Sequence, residues 1–119
     1  MTEEYKFKKL RVYQMALDYI DITYELSKHL PVSEKFNLRT QLIRAATSIT
    51  LNIAEGSTGQ TDAEQHRFLG LALRSYLETI ACWDIIECRG YLQTGELSAI
   101  RNQGHQLFIK LQAFRKSLK

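Results

Sequence analysis

Apolar residues recur at helical spacing along four stretches, and no segment alternates with the two-residue period of a strand. The first stretch runs from about Leu10 to His29. Leu10, Tyr13, Leu17, Ile20 and Tyr24 form one apolar line, Met15, Tyr19, Ile22 and Leu26 a second, and Arg11, Gln14, Asp18, Asp21 and Glu25 a solvent line. Two apolar lines predict cover on more than one flank. Pro31 ends the helix by pushing its predecessor out of helical geometry, and Ser33 is the expected cap of the second helix. That helix closes at Gly56, a natural C-terminal glycine.

Within the second helix, Gln41 to Gly56 has almost no ordinary solvent side. At about 100° per residue, Leu38, Leu42, Ala45, Ala46, Ile49 and Ile53 share one broad arc. Thr40, Ile43, Thr47, Thr50, Leu51 and Ala54 share another, and the line Gln41, Arg44, Ser48, Asn52 and Glu55 lies between them. A single bundle covers the first arc. The small, uncharged second arc calls for a further partner, most simply another copy of the chain.

Thr61 and Glu64 form a capping box, T-D-A-E, that opens the third helix. It continues to about Arg89 and is rich in buried types: Phe68, Leu69, Leu71, Leu73, Tyr76, Leu77, Ile80, Trp83, Ile85 and Ile86. Its seam Gly70, Leu77, Ala81 and Cys88 has small members that would admit a close helix, and Gly90 ends it. The fourth helix, about Glu96 to Leu118, turns Leu97, Ile100, Leu107, Phe108, Leu111, Phe114 and Leu118 inward. Short connections at 31–33, 57–61 and 90–94 select an all-α, up-down-up-down antiparallel four-helix bundle, one domain over residues 1–119.

Composition narrows the function classes. The 119 residues are 45% hydrophobic and 24% charged, ordinary for one globular core without metal or disulfide support. No apolar run approaches a membrane span, and the opening MTEEYKFKKL lacks the apolar segment of a signal peptide; a cytoplasmic location is the expectation. Cys82 and Cys88 lie six apart on one helix, out of bridging reach, and read as two buried free thiols.

Catalytic signals are weak. A carboxylate-bridged di-metal bundle needs two Glu-x-x-His pairs, and the chain has none. Glu25 with His29, and Asp62 with His66, sit near helix ends and read as surface or capping pairs, and His105 as a surface residue. G-S-T-G lacks the spacing and lysine of a phosphate loop. The expectation is therefore a non-enzyme with no cofactor, no metal and no small-molecule substrate. On the second helix, Gln41, Arg44, Ser48, Asn52 and Glu55 are expected to form a polar network that fixes packing register or subunit contact. Glu78 is the candidate partner of Arg44, with Arg74 competing for it.

The net charge is a modest +3. Positive groups concentrate at Lys6, Lys8, Lys9 and Arg11, and on the fourth helix at Arg101, Lys110, Arg115, Lys116 and Lys119. On one chain this is an ordinary solvated face. Repeated around an assembly it becomes a basic rim for nucleic-acid backbone, read without base specificity.

These residues carry a resemblance. Phe7, Leu10, Val12, Tyr13, Gln14 and Ala16, then L-P-x-S-E at Leu30 to Glu34, then Gln41, Arg44 and Ala45 fit a family pattern. So do S-I-x-x-N-I-A-E-G from Ser48 to Gly56, R-F-L-x-x-A-x-x-S-x-x-E from Arg67 to Glu78, and G-Y-L from Gly90 to Leu92. Together they resemble the four-helix-bundle family of the 23S rRNA intervening-sequence proteins. The chain departs from it at Ile43, where the first of two adjacent arginines is usual, and at Gly59-Gln60 in place of Gly-Arg; both remove positive charge. The resemblance implies small bacterial cytosolic proteins, several of them similar to the pentameric barrel-forming accessory proteins of diversity-generating retroelements. The resulting expectation is a ring-like homo-oligomer that contacts structured RNA or a nucleic-acid-processing protein. The alternatives are a purely structural protein-protein assembly module and, last, a metal-dependent enzyme.

Overall fold

The computed structural model describes residues 5–58 and 61–118. Four helices follow in order: α1 (Arg11–Ser27), α2 (Leu38–Gly56), α3 (Asp62–Cys88) and α4 (Thr94–Ser117). Short 3-10 turns at Lys6–Lys9 and Val32–Glu34 precede α1 and α2. Each helix packs on its neighbours in chain order and α4 returns to α1, so the four close an antiparallel bundle whose most extensive contact is α2 with α3.

Local chemistry sets the helix ends. Ser33, expected as a cap, instead lies exposed inside the 3-10 turn; α2 starts at Leu38, whose N–H donates to the Glu34 carboxylate at 3.4 Å. Glu34 also accepts from the Tyr91 hydroxyl at 2.8 Å, and that hydrogen bond holds its carboxyl below the usual carboxylate range. Thr61 caps α3 by accepting from the Glu64 N–H at 3.1 Å. The reciprocal half of the box is replaced by an ion pair, with Glu64 leaning 3.6 Å from Arg67. A box missed in the sequence opens α4: Gln93 N–H donates to the Glu96 carboxylate at 2.8 Å, two residues earlier than the expected start.

The first arc of α2 is buried throughout, and Ala46, Ile49 and Ile53 reach zero exposure. It meets Leu69, Trp83 and Ile86 of α3 and Leu97, Ile100, Leu107 and Leu111 of α4 in one core. In α1 the core line is Val12, Ala16, Tyr19, Thr23 and Ser27 rather than the bulkier residues beside it. Thr23 and Ser27 tolerate burial because their hydroxyls donate to the carbonyls of Tyr19 and Tyr24, at 2.7 and 2.8 Å.

A directed chain of hydrogen bonds crosses the core. Trp83 Nε1–H donates to the Tyr19 hydroxyl at 3.0 Å, which lies 2.8 Å from Thr79 Oγ1. Because Thr79 donates to the Tyr76 carbonyl, the Tyr19 proton points to Thr79 and every member is satisfied. Burial pushes the Tyr19 phenol up and carries Tyr76 up to about 12.

Two glycines fix close approaches. A Cβ on Gly104 would stand 2.7 Å from the Tyr19 ring and 2.9 Å from that of Tyr76; one on Gly56 would stand 2.7 Å from Phe68 Cβ. Gly56→Ala must therefore separate α2 from α3, and is expected to lower unfolding free energy by about 1–3 kcal/mol in a denaturant titration.

The two phenols also set a pH response. Both stay neutral in the fold past their ordinary value of 10.0, so the folded state holds protons that the unfolded chain releases. Stability is intact below pH 10 and falls as pH rises from 10 toward 12. Tyr76→Phe should flatten that fall in alkaline melts; an unchanged slope contradicts this assignment.

Candidate functional site

The second arc of α2 remains uncovered, as its composition implied. Leu51 is 63% exposed, Thr40 is exposed, and Ile43, Thr47 and Ala54 are half-buried, whereas Thr50 is buried. Phe36, just before α2, is 88% exposed and continues the same line. Most of the expected α3 seam is likewise unpartnered: Leu77 is 53% and the neighbouring Ile85 48% exposed, where both were expected to be buried, with Ala81 and Cys88 open beside them. Among the described residues Gly70 is the member of that seam used for close approach, covered by the Arg115 guanidinium of α4, while Leu77, Ala81 and Cys88 are left open. Cys88 is thus an exposed thiol rather than a buried one, and only Cys82 is buried.

The two stripes lie on opposite flanks. Ser48 marks the α3 side of α2, since the Ser75 hydroxyl donates to Ser48 Oγ at 2.9 Å. Thr47, about 100° away at one residue's step, centres the α2 stripe on the side turned from α3. Ser75 likewise marks the α2 side of α3, and Leu77 lies about 200° from it. On α1, Arg11 lines a recess with Lys110 and Phe114 of α4. Tyr13, two residues on, therefore faces the α2 side together with Leu17 and Tyr24, which are both exposed. One flank is α1 with α2, and the other is α3.

The polar line of α2 divides. Ser48 and Asn52 are half-buried and engaged: Asn52 Nδ2 donates to Ser48 Oγ at 3.0 Å and to the Ser48 carbonyl at 2.8 Å. With Ser75 they form a three-member clasp between α2 and α3. Gln41, Arg44 and Glu55 are exposed instead. Among the described residues Arg44 and Glu78 form no ion pair, and Glu78 and Arg74 also face solvent. The expected network is smaller than the line that predicted it: spacing puts all five on one side of α2, but among the described residues only Ser48 and Asn52 join a side-chain network, through Ser75 of α3. Ser75 was missed, being a small polar residue that gains meaning only opposite Ser48.

Positive groups gather at one end of the bundle. Lys6, Lys8 and Lys9 precede α1, Arg11 opens it, and Lys110, Arg115 and Lys116 end α4 alongside; Lys119 lies outside the described residues, as do Gly59 and Gln60. Arg101 does not belong to this group. Its guanidinium is 3.0 Å from both Asp84 and Glu87, tying α4 to α3 with its charge neutralised. A hydrogen bond from the Thr94 hydroxyl, and then Arg101, hold the Glu87 carboxyl below its ordinary range. Arg115 makes a different contact, donating from Nε to the His66 carbonyl at 3.0 Å. Among the described residues no three metal-ligating side chains converge, and no helix is long and apolar enough to cross a membrane.

Fold and faces together define a small antiparallel four-helix bundle with two apolar flanks and a basic end. The chain belongs to the 23S rRNA-intervening sequence protein family, whose sequence pattern matches residues 8–113. It is similar to a crystal structure of a protein of unknown function from the S23 ribosomal protein family of Bacteroides thetaiotaomicron VPI-5482. That likeness has a TM-score of 0.81 at 25% identity and covers 88% of this chain and 98% of the other. No curated protein is similar enough to count as a match.

The Ser48–Asn52–Ser75 clasp gives a direct energetic test. Ser48→Ala takes the acceptor from the Ser75 hydroxyl and leaves Asn52 with the Ser48 carbonyl alone, and should lower stability by about 1 kcal/mol. Adding Ser75→Ala should cost less than its separate effect, because it removes a group already without its partner. Strict additivity in denaturant melts would show that the clasp is not a unit.

Proposed function

We propose that the protein is a non-enzymatic assembly module whose copies join flank to flank into a small closed ring. The ring presents its basic end to structured RNA or to a nucleic-acid-processing protein. The observation that carries this reading is the pair of dissimilar apolar flanks on opposite sides of one bundle. A patch that faces its own kind gives a two-fold dimer, whereas two different patches give head-to-tail contacts, which close into a ring when the rotation between copies is a whole fraction of a turn. Leu17, Tyr24 and Leu51 offer aliphatic and aromatic anchors on one side. Leu77, Ala81 and Ile85 offer a shallower surface on the other. The pentameric number is taken from the family resemblance.

The RNA contact is supported by the clustering of Lys6, Lys8, Lys9, Arg11, Lys110, Arg115 and Lys116 at one end. Copies around a ring multiply that field, so binding follows backbone charge and weakens steeply with salt.

Leu51→Asp and Leu77→Asp place a charge on one flank each, at sites exposed enough to leave the fold intact. Each variant alone should be monomeric in light scattering. Mixed, the two should pair as a dimer through their remaining good flanks and go no further. If either variant alone forms a dimer, the contacts are two-fold and the ring reading fails. Filter binding to ribosomal RNA helices at low and high salt tests the second half of the proposal; absence of affinity at low salt rejects the RNA role.

A further inference from the structure

We propose that the cleft between α3 and the end of α4 is a phosphate-binding site anchored by Arg115, and that RNA backbone is its occupant. This rests on the nucleic-acid reading above and names the contact within it. Arg115 is half-buried, and its Nε–H is fixed on the His66 carbonyl at 3.0 Å. Its guanidinium lies flat over Gly70, where a Cβ would come within 2.8 Å of Nη2 and 3.0 Å of Cζ. The missing side chain at position 70 is what lets the group rest against α3. Held this way, the fork is ordered before any ligand arrives, so little rotamer entropy is lost on binding.

The terminal amino groups of Arg115 make no hydrogen bond or ion pair among the described residues. This contrasts with Arg101, which two carboxylates saturate. Recesses of about 470 and 410 Å³ open on either side of Arg115. Lys116 lines the first and Arg67 and Arg74 the second, His66 borders both, and among the described residues no carboxylate lines either. The acids of α3 around the cleft lie outside its lining: Asp62 stands one turn before His66, Glu64 leans on Arg67 at 3.6 Å, and Glu78 stands one turn beyond Arg74. A planar guanidinium whose terminal donors are unpaired among the described residues, flanked by further cations, matches the oxygens of a phosphate. Two recesses meeting at that group suit a chain of phosphodiesters passing across it better than a lone ion.

Three variants test the site. Arg115→Ala removes the anchor. Gly70→Ala leaves every charge in place but puts a methyl where the guanidinium rests, and Arg101→Gln removes a cation elsewhere. Filter binding to a ribosomal RNA helix is measured for each after thermal melts confirm folding, alongside inorganic pyrophosphate followed through the Arg115 Nε–H resonance. Arg115→Ala and Gly70→Ala should each weaken RNA binding about tenfold, the scale of one charge-assisted contact, with Arg101→Gln changing it less than about twofold. RNA binding unchanged in both Arg115→Ala and Gly70→Ala overturns the cleft and leaves the RNA role standing. If RNA fails to bind the unaltered protein while pyrophosphate shifts that resonance, the phosphate site stands, and its RNA occupancy and the RNA role both fall. Response to neither probe overturns the site. Should Arg115→Ala fail to fold, Gly70→Ala decides the question.

Discussion

Four helices from one chain enclose one interior, and each can turn a single stripe into it. In this molecule α1, α2 and α3 all carry apolar surface beyond that stripe, and the excess is arranged rather than scattered. The arc of α2 from Leu38 to Ile53 is buried, yet the arc through Ile43, Thr47 and Leu51 has nothing to lie against. The same holds for Leu77, Ala81 and Ile85 on α3. Contiguous exposed apolar surface on a small domain marks contact with something else. Its division between two flanks is what the proposed head-to-tail ring rests on, since in such a ring each copy offers both halves of a joint.

Rigidity inside the bundle makes those flanks usable. Trp83, Tyr19, Thr79 and the Tyr76 carbonyl lock α1 to α3 through satisfied hydrogen bonds. Gly56 lets α2 and α3 meet at Phe68, and Ser48, Asn52 and Ser75 fix their register. A satisfied buried network specifies one arrangement where a uniformly apolar core admits several. With the helices fixed in rotation, the stripes stay on their flanks and the basic groups of α1 and α4 stay together at one end.

Much of this was legible in residue order because helical period and chain punctuation are local. Gly56, Thr61 and Gly90 mark ends that the fold respects, and the buried arc of α2 and the solvent line of α1 follow from spacing alone. What failed depended on rotation and on partners distant in sequence. Ser33 yielded to Glu34 as the group serving the start of α2 because a 3-10 turn intervenes. The α1 core line was hidden because Thr23 and Ser27 look polar until their hydroxyls fold back on the helix. Arg101 looked like Arg115 in sequence, and only the packing of α4 on α3 shows one neutralised and the other resting on Gly70 with its terminal amino groups unpaired among the described residues. Gly70 was legible as a point of close approach and Ser75 as a motif position, but what each meets, Arg115 and Ser48, is set by helices distant in sequence.

The most direct measurement is sedimentation of the unaltered protein across the micromolar range. A closed ring gives one species at a fixed multiple of the 13.8 kDa chain, its mass unchanged by dilution over that range. A single species of 13.8 kDa throughout would mean that the two flanks are simply solvated, and the account built on them would be wrong.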